Sequence, residues 1–210
     1  MRLDLHVHTS HSIDGLCSVD EVVAAAKAKG LDGIAITDHN SIAGHPEAKK
    51  LSKGGFLVIP GVEVSSADGH IVGLGVRELI PRGLSAKETV GRIRKQGGIA
   101  IAAHPFALGR RPGLVYKAKF DAIEVLNSRA FLLSNPLARR FAERNKIPMV
   151  AGTDAHYRDE IGLAYTTVDC ELKIESILEH IKTGRSSASG RAVPFPNLLW
   201  RFLLKMPAKK

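Results

Sequence analysis

Histidine and acidic residues stand in this sequence at spacings that bring their side chains to the same side of the chain. His6 and His8 are two positions apart on a predicted strand, which directs both imidazoles to one face. Asp154 and His156 repeat that spacing near the other end of the sequence. Imidazole nitrogens combined with carboxylate oxygens, without a thiolate, suit Zn²⁺, Mn²⁺ or Fe²⁺. The residues that we expect to bind metal are His6, His8, Asp14, His39, Glu63, His70, His104, Asp154 and His156.

Taken singly, each of these residues has an ordinary structural explanation. A histidine at a strand end is more often hydrogen-bonded than a ligand, and an aspartate there can cap a helix. The set as a whole has no such explanation, because carboxylates crowded in a cleft repel one another and buried imidazoles lose their hydration. The set also exceeds the roughly four to six ligands that one such metal takes. With Glu63 shared, it supplies two divalent ions or three.

Alternating apolar and helical segments must position these residues. Short β-branched runs predict strands, and the segments between them, with apolar residues at helical spacing, predict helices. The predicted strands are Arg2–His8, Gly33–Thr37, Phe56–Val64, Ile99–Ala103, Ala122–Leu126 and Pro148–Gly152. The predicted helices are Ser18–Lys29, Ser41–Lys53, Ser85–Gln96, Phe131–Asn145 and Lys173–Thr183. This alternation favours a parallel sheet wound with helices, either closed or open.

Local signals agree with these elements. Ser18–Glu21 and Ser85–Glu88 each have the form of a helix capping box, and Asp68-Gly69 predicts a hairpin turn. The serine- and glycine-rich stretch 186–190 is interpreted as a loop. A length of 210 residues suits one (β/α) barrel domain. In such a barrel the C-terminal strand ends form the active face, so the candidate ligands would converge in one mouth.

The motifs around these residues resemble those of the PHP (polymerase and histidinol phosphatase) superfamily. In order along the chain they are Asp4-Leu5-His6-Val7-His8-Thr9, Ser12-Ile13-Asp14-Gly15, Thr37-Asp38-His39, Gly61-Val62-Glu63, His104-Pro105 and Gly152-Thr153-Asp154-Ala155-His156. The resemblance implies an α/β fold, a distorted (β/α)7 TIM-like barrel in a single domain. It also implies two or three bound metals and the hydrolysis of phosphate esters.

By the same resemblance the ligands fall into three sites that share Glu63. The first site is expected to contain His6, His8, Glu63 and Asp154, the second Glu63, His70 and His104, and the third Asp14, His39 and His156. The expected reaction is attack on phosphorus by a hydroxide held between metals. Glu63, Asp154 and His156 are the expected catalytic residues, and either His156 or a metal-bound water would protonate the leaving alkoxide.

Basic residues follow two of the strand ends, where charge would develop on the phosphoryl oxygens. Expected to bind substrate are Arg110, Arg111, Asn127 and Arg129. The formal charge of +9 is uneven: residues 101–150 hold nine basic and three acidic side chains, and residues 185–210 hold six basic and no acidic ones. We expect residues 1–185 to form the barrel. The tail, 186–210, would pack on the barrel or form a dimer contact through residues such as Leu198 and Trp200.

The composition is that of a soluble protein, with 44% hydrophobic and 24% charged residues. No apolar run approaches the ~18–20 residues of a transmembrane helix, and the N-terminal residues lack the apolar core of a signal peptide. The two cysteines fit a reducing compartment, so the expected location is cytoplasmic.

Three functions remain open on the sequence alone. The first is metal-dependent hydrolysis of a small phosphomonoester or a nucleotide. The second is a 5′ or 3′ exonuclease that trims short RNA or DNA, since nucleic acid is also a suitable partner for the basic segment. The third is a non-catalytic RNA-binding barrel that resembles the barrel subunit of ribonuclease P. The complete set of metal motifs favours an enzyme.

Overall fold

The computed structural model describes residues 1–107, 113–130, 133–194 and 196–197. The first half of the chain contains β1 (Arg2–Val7), α1 (Val19–Ala28), β2 (Gly33–Ile36), α2 (His45–Leu51), β3 (Leu57–Ser66), β4 (Gly69–Leu74) and α3 (Ala86–Lys95). The second half contains β5 (Ile99–Ala102), a 3-10 helix (Leu114–Tyr116), β6 (Ala122–Asn127), α4 (Ser134–Asn145), β7 (Met149–Gly152), β8 (Ala164–Val168), α5 (Ile174–Lys182) and β9 (Ser186–Gly190).

The strands of the described residues form one sheet in the order β7-β6-β5-β4-β3-β2-β1-β8-β9. Pairing is parallel from β1 through β3 and from β5 through β7, whereas β4 and β8 are antiparallel to their neighbours. The sheet closes where the chain after β7 meets β1. There Asp154 N donates to His6 O over 2.8 Å, and His8 N donates to Ala155 O over 2.9 Å. The TIM-like barrel is therefore confirmed.

Strands β8 and β9 complete the wall between β1 and β7, beside this closure. Thr166 Oγ1 on β8 lies 2.8 Å from both the amide nitrogen and the carbonyl oxygen of Ala151 on β7. Ser186 Oγ on β9 donates to Met149 O over 3.0 Å. The interpretation of residues 186–190 as a loop is thus wrong. Serine and glycine give no strand signal of their own, and this strand exists because its backbone pairs with β8.

Several local predictions are confirmed. Ser18 and Ser85 each cap a helix through a complete capping box. The carboxylates of Glu21 and Glu88 accept in turn from the backbone amides of these serines. Strands β3 and β4 form the predicted hairpin, with Ser66 paired to Gly69. Helix α2 is shorter than predicted and has a proline in its first turn, where the absence of an amide hydrogen costs nothing.

Apolar side chains fill the barrel and the space between its wall and the helices. The buried residues inside the barrel include Leu3, Leu5, Ile59 and Ile101. On α1, Val19, Val22 and Ala26 face β2 and are fully buried. None of the helices in the described part of the chain is long and apolar enough to cross a bilayer. The apolar tail residues Leu198 and Trp200 lie outside the described residues.

Candidate metal centre

The candidate ligands lie at the C-terminal ends of the strands, in the loops that follow, or on the β3–β4 hairpin. His6 and His8 leave β1 toward the barrel interior and are each 1% exposed. Glycine at position 152 allows the closure of the barrel beside them, because a Cβ there would lie 2.5 Å from His6 Cβ. His104 and Asp154 follow their strands with φ angles of +30° and +57°. Such left-handed backbone at non-glycine residues is strained and is often found at functional sites.

Glu63 stands at the centre of the cluster and is fully buried. Its Oε1 lies 2.7 Å from His70 Nδ1 and 3.0 Å from His104 Nε2. Its Oε2 lies 2.8 Å from His39 Nδ1 and 3.4 Å from His8 Nε2. One carboxylate therefore contacts histidines from β1, β4 and the loops after β2 and β5.

The other acidic ligands flank this centre. Asp154 Oδ1 lies 3.2 Å from His8 Nε2, the nitrogen that also lies 3.4 Å from Glu63 Oε2. Asp14 Oδ2 lies 2.9 Å from His156 Nε2 and 3.4 Å from His39 Nε2. Asp14 is 45% exposed and Asp154 14%, so the cluster becomes more open toward Asp14.

Three groups of these residues have ligand atoms close enough to share a cation. In each group the ligand atoms all lie within 4.8 Å of one another. The groups are His6, His8, Glu63 and Asp154; His39, Glu63 and His70; and His8, Asp14, His39 and His156. The structure brings together every residue that the sequence predicts as a ligand. His39 lies between the second and third groups, and His104 joins the second through Glu63.

The cluster also has the chemistry that a divalent cation requires. Four buried atoms have no hydrogen-bond partner among the described residues: His6 Nε2, His8 Nε2, His39 Nδ1 and Glu63 Oε2. The three nitrogens lie 3.5, 3.4 and 2.8 Å from that oxygen, without the geometry of a hydrogen bond. Leaving such an atom unpaired costs about 1–3 kcal/mol. A cation among them would use each atom as a ligand, so the residues fit a metal.

Comparison with known proteins identifies the family. A two-domain protein from Bacteroides vulgatus that contains a predicted PHP-like metal-dependent phosphoesterase has the same fold, with a TM-score of 0.73 at 22% identity over 98% of this chain and 69% of that one. An uncharacterized protein from Methanocaldococcus jannaschii is 42% identical over 144 residues, which is 61% of this chain and 82% of that protein. Residues 133–186 match the family model described as PHP-associated.

The chain belongs to the PHP superfamily. A further relative is a 5′-3′ exoribonuclease from Haemophilus influenzae, 35% identical over 105 residues. That match covers 48% of this chain and 38% of the enzyme. The superfamily includes metal-dependent phosphoesterases, and the clustered histidines and carboxylates are the part of this chain that suits such chemistry.

In the metal-free PHP centre the carboxylates remain ionised. Burial opposes ionisation of Glu63 and Asp154, but the surrounding histidines, His6 foremost, hold the pKa of both carboxyls well below their usual range. The same attraction raises the pKa of His6 well above its ordinary value against the effect of burial, with Glu124 the largest contributor. Protons on histidines thus balance the charge that a cation would otherwise balance.

The histidines do not all respond alike. Burial opposes protonation of His39, but the adjacent carboxylates of Asp14 and Glu63 raise its pKa to about 10. Burial and the neighbouring His156 lower the pKa of His8 to about 3. His8 is therefore already neutral at physiological pH and ready to ligate, whereas His39 must first lose a proton.

Glu124 is a functional residue that the sequence reasoning missed. It points into the barrel from β6, where its Oε1 lies 2.9 Å from His6 Nδ1. Its Oε2 accepts from His104 N over 2.7 Å and from Asn127 Nδ2 over 3.0 Å. A carboxylate behind a ligating histidine fixes the tautomer that presents the other ring nitrogen to the metal. The available signal was one acidic residue inside an apolar strand.

Two further buried carboxylates support the loops that carry ligands. Asp4 accepts from Thr153 N over 2.9 Å and from Thr153 Oγ1 over 2.6 Å, which fixes the backbone just before Asp154. Glu160 accepts from His156 N over 2.9 Å and orients that loop from the other side. Both residues are fully buried.

The residues expected to bind substrate have different positions. Asn127 is fully buried, and its amide also lies 3.3 Å from Asp154 Oδ2. Arg129 is 27% exposed and pairs through Nη1 with Glu160 over 3.0 Å. Arg110 and Arg111 lie outside the described residues.

Proposed function

We propose that this protein hydrolyses phosphate esters at the PHP centre, with a small phosphomonoester or a nucleotide as the substrate. The observation that carries the proposal is the convergence of three buried, unpaired histidine nitrogens on Glu63 Oε2, which is unpaired as well. A protein that only bound RNA would gain nothing from keeping these atoms unpaired, since each is unfavourable without a cation.

The three groups of ligands would hold two or three divalent ions, namely Zn²⁺, Mn²⁺ or Fe²⁺. Such ions, when bound, activate water as a nucleophile and neutralise charge on phosphoryl oxygens. Glu63 would hold two ions at a fixed separation because its two oxygens face different sets of histidines. Asp154, which is less buried than Glu63, would complete the first site next to the incoming ester.

His156 has two roles that exclude each other. Its Nδ1 lies 2.8 Å from the carbonyl oxygen of Asp154, so this nitrogen carries the hydrogen. Only Nε2, which faces Asp14, remains for chemistry. With a cation in the third group Nε2 is a ligand; with two cations it can hold a proton against Asp14 and give it to the leaving oxygen. The number of bound ions therefore decides the role of His156.

Phosphate would be held by cations at the rim of the barrel. Among the described residues the guanidinium group of Arg129 contacts Glu160 through Nη1 alone, which leaves its other nitrogens for an anion. Arg110 and Arg111 follow His104 in the sequence and complete the proposed set. The buried amide of Asn127 would act by orienting Asp154.

The test is hydrolysis by protein loaded with Mn²⁺, Zn²⁺ or Fe²⁺, measured on p-nitrophenyl phosphate, nucleoside bisphosphates and end-labelled oligonucleotides. His6→Ala and Asp154→Ala should each reduce every hydrolytic rate by at least about 10²-fold, because each removes a ligand of the first site. His180→Ala is the matched control, since the His180 ring bonds to Ser176 O of its own helix and forms no ion pair with a carboxylate of the described residues. Rates that survive both site substitutions would refute the proposal.

A second candidate, a 5′ or 3′ exonuclease on short RNA or DNA, has specific support. The match to a 5′-3′ exoribonuclease is the observation that favours it. The same panel separates the two candidates, because an exonuclease shortens labelled oligonucleotides stepwise whereas a monoesterase releases only terminal phosphate.

A further inference from the structure

A second concave surface lies on the outside of the barrel, between helix α3 and the segment 116–119. It has a volume of about 480 Å³ and shares no residue with the metal centre. We call it the flank groove. Its lining residues are Lys87, Val90, Gly91, Arg94, Tyr116, Lys117, Ala118 and Lys119.

The flank groove is positively charged. Half of its lining residues are basic and none is acidic. Arg94 pairs with Asp121 over 2.9 Å, which neutralises it. Lys87, Lys117 and Lys119 form no ion pair with a carboxylate of the described residues, so three ammonium groups face solvent in one groove.

An aromatic ring is fixed at the edge of these charges. Tyr116 is 73% exposed. Its ring meets Phe141 edge to face, with centroids 5.3 Å apart and planes at 86°. This contact holds the tyrosine in place from one side and leaves ring surface open to the groove.

The two walls of the flank groove are connected by hydrogen bonds before any ligand binds. Arg94 Nη2 on α3 donates to Lys119 O over 2.7 Å, and its pairing with Asp121 continues the connection to β6. The groove has free space above Gly91, where an added Cβ would meet no atom within 4 Å. A ligand would enter a formed groove and would not have to order it.

We propose that the flank groove binds the sugar-phosphate backbone and one stacked base of a single-stranded nucleic acid. Unpaired lysines neutralise successive phosphates, and an exposed aromatic ring accepts any base, the combination used in strand binding without sequence preference. An acidic protein segment would use the lysines but not the ring. The inference rests on the second candidate function, because a strand held here could supply phosphodiesters to the metal centre.

The test is fluorescence anisotropy of an end-labelled single strand of about 12 nucleotides with full-length protein in a chelating buffer, where the strand is not cut. Tyr116→Ala should weaken binding roughly tenfold through the lost stacking. Gly91→Glu should weaken it about fivefold or more by placing a carboxylate among the lysines. Gly91→Ala controls for the helix, and Lys50→Gln, on exposed α2, controls for an equal change in net charge.

Binding that is unaffected by Tyr116→Ala, or weakened equally by Lys50→Gln and Gly91→Glu, would overturn the proposal. So would displacement of the strand by polyglutamate at equal charge concentration, since that result would show an acidic-protein site. The parent protein is also assayed with metal on p-nitrophenyl phosphate, a monoester, and on bis-p-nitrophenyl phosphate, a diester. A parent that binds strands through the groove but hydrolyses no ester would refute the proposed function and support the groove.

Discussion

Among single residues, Glu63 determines how the centre can work. It lies within 3.0 Å of His39, His70 and His104 and within 3.5 Å of His6 and His8, although it is fully buried. Its charge is tolerated because histidines surround it on all of these sides. Removing a partner from such a buried charge usually costs more than the pair contributes.

Glu124 should control metal affinity without touching the metal. The two oxygens of Glu124 accept hydrogen bonds from His6, His104 and Asn127. Glu124→Gln replaces one of these oxygens by an NH₂ group, which cannot accept, so at least one of these hydrogen bonds is lost. We expect metal affinity, measured by competition with a chromogenic chelator, to fall about 10- to 100-fold. Glu143→Gln, on the exposed face of α4, is the control. Equal affinity in the two variants would remove Glu124 from the support of the centre.

Metal binding should release protons. The pKa of His39 is raised to about 10 from 6.5, so the metal-free protein carries this histidine mainly as a cation at neutral pH. A divalent ion must displace the proton, and affinity should therefore rise with pH toward 10. Titration calorimetry near neutral pH, in two buffers of different ionisation enthalpy, should give different apparent binding enthalpies. The same enthalpy in both buffers would contradict the charge state assigned to His39.

The strands of the barrel position the site residues. Some of these positions can be predicted from the sequence and others cannot. His6, His8, Asp154 and His156 were predictable because their spacing places them at strand ends that one barrel must bring together. Glu124 was not, because a lone acid in a strand gives no sign of its partners, which are far away in sequence. Strand β9 was missed for a related reason: its serines and glycine pair only because β8 is present.

The importance of β9 can be tested at its last residue. Gly190 has a φ of +123°, and an added Cβ would collide with the backbone of Leu163. Gly190→Ala should therefore destabilise the protein by about 2 kcal/mol or more in urea unfolding. Gly54→Ala is the control, because Gly54 also has positive φ, +63°, but open space around its Cα; it should cost about 1 kcal/mol. Equal losses would show that β9 is dispensable to the barrel.

The whole molecule divides into an apolar interior and a mouth crowded with buried charge. Asp4, Asp38, Glu63, Glu124 and Glu160 are all buried at or near the mouth, along with His6, His8 and His104. Burying so many ionisable groups is costly, and their mutual pairing offsets only part of the cost. The formal charge of +9 is compatible with an anionic substrate. The proposal of metal-dependent ester hydrolysis rests instead on the histidines and carboxylates of the mouth.

We propose that this mouth holds more than one divalent ion. The metal content per chain, measured by mass spectrometry after chelation, reloading and gel filtration, tests this proposal. We expect two or three ions in the parent protein and in His180→Ala, and no more than one in Glu63→Gln, which loses the shared carboxylate. A parent that retains no ion, or a Glu63→Gln protein that retains as many as the parent, would contradict it.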